Sequence, residues 1–351
     1  MSQPAQDSVS PTTPQQLGFS VPGRFDRHAC TLMSYPPKEE ALGTDIEGFR
    51  QETVTIARAI AEFEPVKMIT DPTDAASASE KLASTAGIEI VEIPIDCCWI
   101  RDNGPIFVRD QSGELAGIHF DFNGWGERVG YATTREMPGK IIEHLGVKAI
   151  QADFICEGGG ISFDGEGTII TTEQVMRNQN RYAGYSREDI EKNLYDYLGI
   201  EKVIWLELGL VEDTETDGHV DNEVEFIAPG IVLVQTVKDR TNPNFDLLSD
   251  NLKRLSQARD ARGRKLEIIE MGVLPYAEGP GGKPMAIPYT NAYVINGAVI
   301  APQVDPKLDE IGYRILEQAM PGRRIIPAPS YWQAVGGGGI GCITQQVPTF
   351  S

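Results

Sequence analysis

The chain has 351 residues, of which 41% are apolar and 23% are charged, and its formal net charge is −20. This length and composition are typical of a large globular protein with an ample core. The strong negative charge argues against nucleic-acid binding, which requires a basic surface. A negative field attracts a small cationic substrate, although an acidic surface can also serve solubility alone.

Cysteine usage and the N-terminal composition indicate the cellular compartment of the protein. The chain has five cysteines, an odd number without framework spacing. A chain of this size needs no disulfides, so we predict a protein of the reducing cytoplasm. No apolar run approaches the roughly 18 residues of a membrane span, so no membrane partner is expected. Residues 1–16 are predicted to be a disordered tail without signal-peptide features, followed by a single domain, 17–351.

A succession of two strands, a helix and a third strand recurs along the chain. A helix at 46–63, with its apolar residues on one face, and a strand at 66–70 come first. Hairpins are then marked by turns such as Asn296-Gly297. Four complete successions of hairpin, helix and third strand are predicted in chain order at 105–122, 138–145 and 147–150; 160–172, 187–198 and 203–206; 224–236, 246–259 and 266–269; and 292–302, 308–320 and 324–326.

This repeat predicts an α/β fold built as a ring of five ββαβ units. A period of roughly 50–70 residues is typical of ring or array architectures. The fifth hairpin must then join residues 340–347 to residues 29–35, which would close the ring and remove exposed sheet edges. An ordinary mixed α/β sheet is the alternative, because a hairpin followed by a helix is common in such sheets.

The glycine run at 336–341 leads directly to Cys342, and glycines allow a backbone to approach a ligand closely. A cysteine nucleophile needs an acid–base partner, most often histidine. His219 is the best candidate of four histidines, because strand alternation would place it on the same face as Asp221. A lone His-x-Asp pattern is nevertheless more often structural than catalytic.

Two further segments carry charges beside turns. Asp102 follows Trp99 and Arg101 just before a hairpin, although Arg101 and Asp102 can also simply pair and brace the turn. Glu157 precedes three glycines and can reach a ligand or a histidine, or else be a solvated loop carboxylate. In a closed ring, the edges of the repeat units that carry these residues converge on the ring axis. Two carboxylates could then grip a planar cation while a thiolate attacks its central carbon and a histidine transfers protons.

Four motifs, in this order, resemble the agmatine deiminase family. They are Trp-x-Arg-Asp-x-Gly-Pro at 99–105, Glu-Gly-Gly at 157–159, Gly-His-x-Asp-Asn at 218–222 and Gly-Gly-Gly-x-Ile-x-Cys-Ile-Thr-Gln-Gln at 336–346. The resemblance extends over about residues 22–348. It implies the pentein fold, a five-fold pseudosymmetric α/β propeller of ββαβ units. It also implies hydrolysis of agmatine, a small cationic guanidine, to N-carbamoylputrescine and ammonia, a reaction of polyamine biosynthesis.

The resemblance also implies roles for individual residues. Cys342 would be the nucleophile that forms an amidino-thioether, and His219, held by Glu157, would transfer protons. Asp102 and Asp221 would bind the guanidinium of the substrate. Trp99 would form part of the wall of the substrate channel. No metal and no organic cofactor is implied, and a homo-oligomer is expected.

The chain departs from the family pattern beside the nucleophile. Gly341 stands where the family usually has histidine, Gly339 where it often has asparagine, and segment 32–36 lacks two tryptophans. Because glycine removes a bulky group, we predict a roomier or differently shaped pocket at Gly341, a bulkier or modified guanidine as an alternative substrate, and a shift towards agmatine in Gly341→His.

Three other functions remain open on the sequence alone. An amidinotransferase would pass the amidino group to an amine instead of water. A pentein that binds a ligand without turnover would share the fold alone. A metal site at Glu157, His219 and Asp221 has plausible ligand types but lacks a suitably spaced second histidine.

Overall fold

A computed structural model describes residues 12–38 and 45–350, in which five sheets share one arrangement. In each sheet an antiparallel hairpin is followed by a helix, and the next strand then runs parallel to the second strand of the hairpin. The ββαβ repeat predicted from the sequence is therefore confirmed.

One of these sheets joins the two ends of the described chain. Strand β1 (His28–Ser34) lies antiparallel to β18 (Thr344–Pro348), with Met33 opposite Thr344. Helix α1 (Ile46–Ala61) then leads to β2 (Val66–Thr70), which is parallel to β1. The shared hairpin predicted for this unit is thus confirmed. The sheet also has an unpredicted extension, formed by α2 (Ala75–Leu82) and β3 (Ile88–Glu92).

The other four units follow in chain order. They comprise β4 (Ile106–Arg109), β5 (Leu115–Asp121), α5 (Met137–Leu145) and β6 (Lys148–Ile155); β7 (Ile161–Phe163), β8 (Thr168–Thr172), α8 (Arg187–Leu198) and β9 (Lys202–Leu206); β10 (Val224–Ala228), β11 (Ile231–Gln235), α9 (Phe245–Gln257) and β12 (Glu267–Met271); and β15 (Tyr293–Ile295), β16 (Ala298–Gln303), α10 (Pro306–Ala319) and β17 (Arg324–Pro329). Short elements between them are α3 (Ile100–Asn103), α4 (Gly124–Glu127), α6 (Glu173–Met176), α7 (Gln179–Tyr182), the hairpin β13 (Tyr276–Glu278) and β14 (Pro284–Ala286), and α11 (Tyr331–Val335).

The helix ends follow from local sequence. Ser186 and Asp189 form a reciprocal capping box at the start of α8, and Gly199, with φ of 71°, ends that helix in the left-handed conformation. Asp305 caps α10 by accepting hydrogen bonds from two backbone N–H groups of its first turn. These caps satisfy polar groups that a helix leaves unpaired at its ends.

The core lies between the helices and the sheets on which they pack. On α1, Phe49, Ile56 and Ile60 are fully buried and belong to one apolar cluster with Met68 of β2. These three side chains recur at helical spacing, so the predicted apolar face of this helix is confirmed. The remaining units repeat this packing, which leaves the turns at the strand ends free to carry polar residues.

The N-terminal tail is only partly described. Residues 1–11 of the predicted tail lie outside the described residues. Gln15–Leu17 form a turn of 3₁₀ helix, and the N–H of Phe19 donates to the carbonyl of Pro14 at 3.0 Å. The disordered tail over 1–16 and a single domain over 17–351 stay predictions. No helix within 12–38 and 45–350 is long and apolar enough to span a membrane.

Candidate active site

A short turn precedes the first strand of every unit, and these five turns meet in a closed circuit. Helix α3 contacts the turn 158–160, which contacts the turn 220–222, which in turn contacts the turn 289–291. The turn before β18 closes the circuit, because the N–H of Gly341 donates to the carbonyl of Asn291 and the N–H of Arg101 donates to the carbonyl of Cys342. The residues brought together here are Asp102, Glu157, His219, Asp221, Asn291 and Cys342.

Glu157 and His219 form a buried hydrogen-bonded pair. The distance between Glu157 Oε2 and His219 Nε2 is 2.8 Å, and Arg181 donates from Nε to Glu157 Oε1 at 2.7 Å. Burial acts to raise the pKa of Glu157, but the contacts with His219 and Arg181 hold it below its usual range. Glu157 is therefore an anion that orients the imidazole, as the sequence predicted, and not a solvated loop carboxylate.

The environment of His219 favours its protonated form. Burial acts to lower the pKa of His219, but the charge of Asp102 and the hydrogen bond with Glu157 outweigh it and raise the pKa to about 9. The second ring nitrogen, Nδ1, lies 3.7 Å from Asp102 Oδ1. At neutral pH the imidazole therefore carries a proton that it can donate.

His219 and Asp221 do not lie on a strand, so that part of the prediction is wrong. His219 immediately precedes a 3₁₀ turn, Val220–Asn222, and the backbone enters this turn through Asp217 and Gly218, which both have positive φ. Asp217 is held in place because its carboxylate binds the guanidinium groups of two arginines, Arg128 and Arg181. The turn, and not strand alternation, brings the two functional side chains together.

Asp221 is a buried carboxylate without a hydrogen-bond partner at either oxygen. It is 3% exposed, and burial is the main reason that its pKa is raised to about 7. It lines a small cavity of about 20 Å³ together with Gly341 and Asn291. Burying a carboxylate without donors is costly, so this side chain is poised for a cationic partner.

Asp102 is held from two sides. Its Oδ1 accepts from the N–H of Gly159 at 2.8 Å, and its Oδ2 accepts from the indole N–H of Trp125 at 3.1 Å. Burial raises the pKa of Asp102 despite the nearby His219. A carboxylate has about four acceptor positions, so Asp102 retains capacity for a substrate.

Arg101 does not pair with Asp102, contrary to the alternative that we considered for the sequence. Its Nε donates to the carbonyl of Gly341 at 3.1 Å, and its NH1 group donates to the side chains of Gln345 and Gln346 at 2.6 and 2.8 Å. This arginine therefore fixes the nucleophile turn against α3 and leaves the Asp102 carboxylate free to face the site.

The thiol of Cys342 lies in a buried pocket. Cys342, Asp102, Trp99 and Trp125 line a small pocket of about 40 Å³. Trp99 thus lines this pocket, and its place in the wall of the substrate channel, which the resemblance implied, stays a prediction. Burial, followed by the charges of Asp221 and Asp102, raises the pKa of Cys342 well above its ordinary value, so the thiol is protonated before a ligand binds.

The pocket is not roomier at Gly341, so that part of the prediction is wrong, whereas a different shape stays a prediction. A Cβ added at Gly341 would lie 2.9 Å from Asn291 Oδ1, and one added at Gly339 would lie 2.6 Å from the same atom. The space that a larger residue would need is filled by the Asn291 side chain. A histidine at 341 therefore requires Asn291 to move, so we do not expect a simple shift of selectivity in Gly341→His.

Gly159 lies where three functional side chains converge. An added Cβ would be 2.5 Å from His219 Nδ1, 2.9 Å from Asp102 Oδ1 and 3.1 Å from Asp221 Oδ2. We expect Gly159→Ala to lower kcat by about 100-fold, because misplacing such groups by about 1 Å has effects of that size. Steady-state assays of ammonia release check this. Gly130→Ala is the control, since nothing lies within 4 Å of its added methyl, and equal activities of the two variants would contradict the expectation.

Several residues of the site were not predicted as such. Trp125 lies in an Asn-Gly-Trp-Gly turn, Arg181 in a short helix and Asn291 in an uncharged turn. Glycines around Trp125 were the available signal for an unusual backbone. Within 12–38 and 45–350, no group of three or more His, Cys, Asp or Glu side chains is arranged to hold a metal ion.

Comparison with known proteins places this site in a family. The model of the Porphyromonas-type peptidyl-arginine deiminase family matches residues 20–348. The chain belongs to this family. Among its relatives is an agmatine deiminase of Ectopseudomonas mendocina, 35% identical over 360 residues that cover 96% of this chain and 97% of the relative. An agmatine deiminase of Pseudomonas aeruginosa is 35% identical with the same coverage.

A solved structure supports the architecture of this peptidyl-arginine deiminase family member. The agmatine deiminase of Enterococcus faecalis, 29% identical, superposes with a TM-score of 0.93 and covers 99% of this chain and 100% of its own. Together with the five repeated units, this similarity confirms the pentein fold.

Proposed function

We propose that this protein is an agmatine deiminase, which hydrolyses agmatine to N-carbamoylputrescine and ammonia through a covalent intermediate on Cys342. The observation that carries the proposal is Asp221, a buried carboxylate whose two oxygens have no donor and whose charge acts on the nearby thiol. A guanidinium supplies the planar donors that this carboxylate lacks. The agmatine deiminases among the relatives match nearly the whole chain, which favours agmatine over other guanidines.

Substrate binding follows from the charges of the site. Asp102 and Asp221 bind the guanidinium from two sides, near the point where their oxygens approach Gly159. Trp99 packs against the aliphatic tail in the pocket. Cation binding offsets the negative charges that oppose ionisation of Cys342, so the thiol releases its proton to solvent water as the substrate arrives. This proton balances the reaction, because the ammonia that departs takes up one proton to become ammonium.

In the first half of the reaction, the thiolate Sγ forms a bond to the guanidinium carbon, which becomes tetrahedral. The imidazolium of His219 gives its proton to one amino group, and the bond from carbon to that nitrogen breaks as ammonia leaves. The enzyme then holds an amidino-thioether cation on Sγ and a neutral His219. Glu157 keeps the imidazole in place throughout, because it remains bound to Nε2.

In the second half, neutral His219 takes a proton from a water molecule, and the resulting hydroxide adds to the amidino carbon. The tetrahedral adduct collapses to the urea of N-carbamoylputrescine as the carbon–sulfur bond breaks. The hydroxyl proton that is released restores the thiol, and His219 has regained the proton that it gave to ammonia. All atoms of substrate and water are therefore accounted for without a cofactor.

A guanidine panel tests the proposal. The protein is incubated with agmatine, arginine and longer or modified guanidines, with and without an added amine, and products are identified by mass spectrometry. We expect N-carbamoylputrescine and ammonia from agmatine, and no new guanidine when the amine is present. Untouched agmatine alongside hydrolysis of another guanidine would overturn the substrate, and a transferred amidino group would overturn the hydrolase assignment.

Asp221→Asn probes the cation contact directly. We expect kcat/KM for agmatine to fall by about 100-fold or more, because a charge-assisted bidentate interaction becomes a neutral one. Asp74→Asn is the control, since Asp74 is also buried but pairs with Arg50 in another unit. An equal loss in both variants would show that the effect is structural.

The same substitution, Asp221→Asn, is expected to stabilise the folded protein at alkaline pH although it lowers activity. The pKa of Asp221 is raised from 3.8 to about 7 in the folded protein, so the unfolded chain releases this proton at lower pH. Stability therefore falls as pH rises from about 4 through about 7. We expect Asp221→Asn to have a higher Tm than the wild type at pH 8, with the difference vanishing below pH 4. Thermal denaturation across this pH range checks the sign.

The proposal includes the cellular setting. All five cysteines are buried and none is in a disulfide, which suits a reducing compartment, and we place the enzyme in the cytoplasm. Assembly as a homo-oligomer stays a prediction, which light scattering of the purified protein checks.

A further inference from the structure

The five turns of the circuit do not all have an assigned role. Four of them carry the residues to which the proposed reaction gives a task, namely Asp102, Glu157, the pair His219 and Asp221, and Cys342. The fifth is the 3₁₀ turn Tyr289–Asn291, which precedes the first strand of its unit as the others do. Its last residue, Asn291, is 3% exposed and contacts the nucleophile turn.

The contacts of Asn291 join two of the functional turns. Its Oδ1 accepts from the N–H of Gly341 at 2.9 Å and lies 3.7 Å from Cys342 Sγ, within the range of a hydrogen bond from sulfur. Its backbone carbonyl accepts from the same Gly341 N–H at 3.0 Å. Its Nδ2 donates to the side-chain oxygen of Asn222, the neighbour of Asp221, at 3.3 Å. One amide thus links the nucleophile to the turn that binds the cation.

The orientation of this amide is fixed by its donors and acceptors. Gly341 N–H can only donate, so the atom that faces it must be the side-chain oxygen of Asn291. That oxygen therefore also faces Cys342 Sγ, and a neutral thiol can donate its proton to it. The contact holds the thiol in one rotamer before the substrate arrives.

The glycines beside the nucleophile are the complement of this side chain. A Cβ at Gly339 or Gly341 would lie within 3 Å of Asn291 Oδ1, closer than real Cβ atoms approach such neighbours. Neither glycine has a positive φ. Glycine is therefore needed at these two positions for space and not for backbone conformation.

We propose that Asn291 is a positioning residue for Cys342, which holds the thiol in its attacking orientation through Sγ and through the N–H of Gly341, and that Gly339 and Gly341 are glycines because this amide occupies the space beside them. The inference rests on the proposed role of Cys342 as nucleophile. It names a residue of the fifth unit that the proposed mechanism does not use.

Asn291→Ala tests the positioning role in turnover. We expect kcat for agmatine to fall by about 10- to 100-fold while KM stays within about threefold, because the cation contacts remain and only the attack geometry is lost. The control is Asn251→Ala, which removes a buried amide of α9 that binds Glu223. A fall in Tm without a change in kcat is expected for this control.

Asn291→Asp tests the contact with sulfur by a pH profile. The charges that already act on this thiol are those of Asp102 and Asp221. His219 lies beside Asp102, and Arg101 binds the carbonyl of Gly341 next to the nucleophile. A further carboxylate 3.7 Å from Sγ disfavours the thiolate, so alkylation of Cys342 by iodoacetamide should reach half its maximal rate at a higher pH than in the wild type. A role limited to fold stability predicts no such shift.

A double-mutant cycle tests the fit between Asn291 and Gly341. Gly341→Ala should lower kcat by about tenfold or more when Asn291 is present, because the methyl group collides with the amide. In the Asn291→Ala background the collision is absent, and Gly341→Ala should change kcat by less than about threefold. Additive effects of the two substitutions would contradict the proposed fit.

The outcomes separate this proposal from the function on which it rests. If the wild type does not hydrolyse agmatine but Asn291→Asp still shifts the pH profile of alkylation, the substrate assignment fails and the positioning role stands. If the wild type is an active deiminase but Asn291→Ala keeps its kcat and Asn291→Asp keeps the wild-type alkylation profile, the positioning role is wrong.

Discussion

Replacing Cys342 by alanine is expected to reduce kcat for agmatine by about 10⁴-fold or more, because both halves of the proposed reaction pass through a bond to Sγ. Ammonia release measures the loss. Intact-mass analysis after treatment with 2-chloroacetamidine measures the adduct, which should form on the wild type and not on the variant.

Cys30→Ala is the matched control for this experiment. Cys30 is also buried and free, but it lies in β1, away from the site turns. It should keep wild-type turnover and form the adduct. Substantial ammonia release by Cys342→Ala would show that another group attacks the substrate, and it would remove the basis of the proposed mechanism.

His219→Gln is expected to have the second largest effect, a loss of about 10²- to 10⁴-fold in kcat, because both the acid and the base of the reaction disappear. Because the pKa of His219 is about 9, the imidazole stays protonated and can donate to the departing amino group until the pH passes that value. The wild-type kcat should therefore fall as pH rises through about 9, and the residual activity of the variant should not show this decline. His144→Gln, on the exposed end of α5, is the control.

The raised pKa also predicts a change in stability with pH. The folded protein binds the His219 proton more tightly than the unfolded chain, whose histidines titrate near 6.5. The resulting stabilisation is fully present below about pH 6.5 and is lost as pH rises through about 9. The Tm of the wild type should thus approach or fall below that of His219→Gln at pH 10. A constant Tm difference over this range would mean that the imidazole is not charged in the folded protein.

The repeat and four of the five functional turns could be predicted from the sequence. Charged residues such as Asp102 and Glu157 stand out beside glycines, and each turn comes directly before a hairpin pattern. The strand order could also be inferred, because apolar segments and turn dipeptides are local signals. The unpredicted strand β3 (Ile88–Glu92) is a short segment rich in β-branched residues and was within reach of the same reasoning.

Contacts between side chains that are distant along the chain could not be predicted from the sequence. Asn291 is an ordinary polar residue in an uncharged segment, and its contact with Gly341 exists only once the fifth unit meets the turn before β18. The same holds for the indole of Trp125, which reaches Asp102 from α4. The glycine at 341 suggested an empty space, and only the neighbouring side chain shows that the space is filled.

The pairing of β1 with β18 has a consequence for how the enzyme gains activity. These strands come from opposite ends of the described chain, and contacts of such high sequence separation form slowly. Cys342 lies two residues before the start of β18, and Arg101 binds the glutamines within that strand. A chain with an open ring therefore holds the histidine and carboxylates of three units without a positioned thiol. Recovery of deiminase activity during refolding should consequently report closure of the ring, and it should lag behind the return of secondary structure.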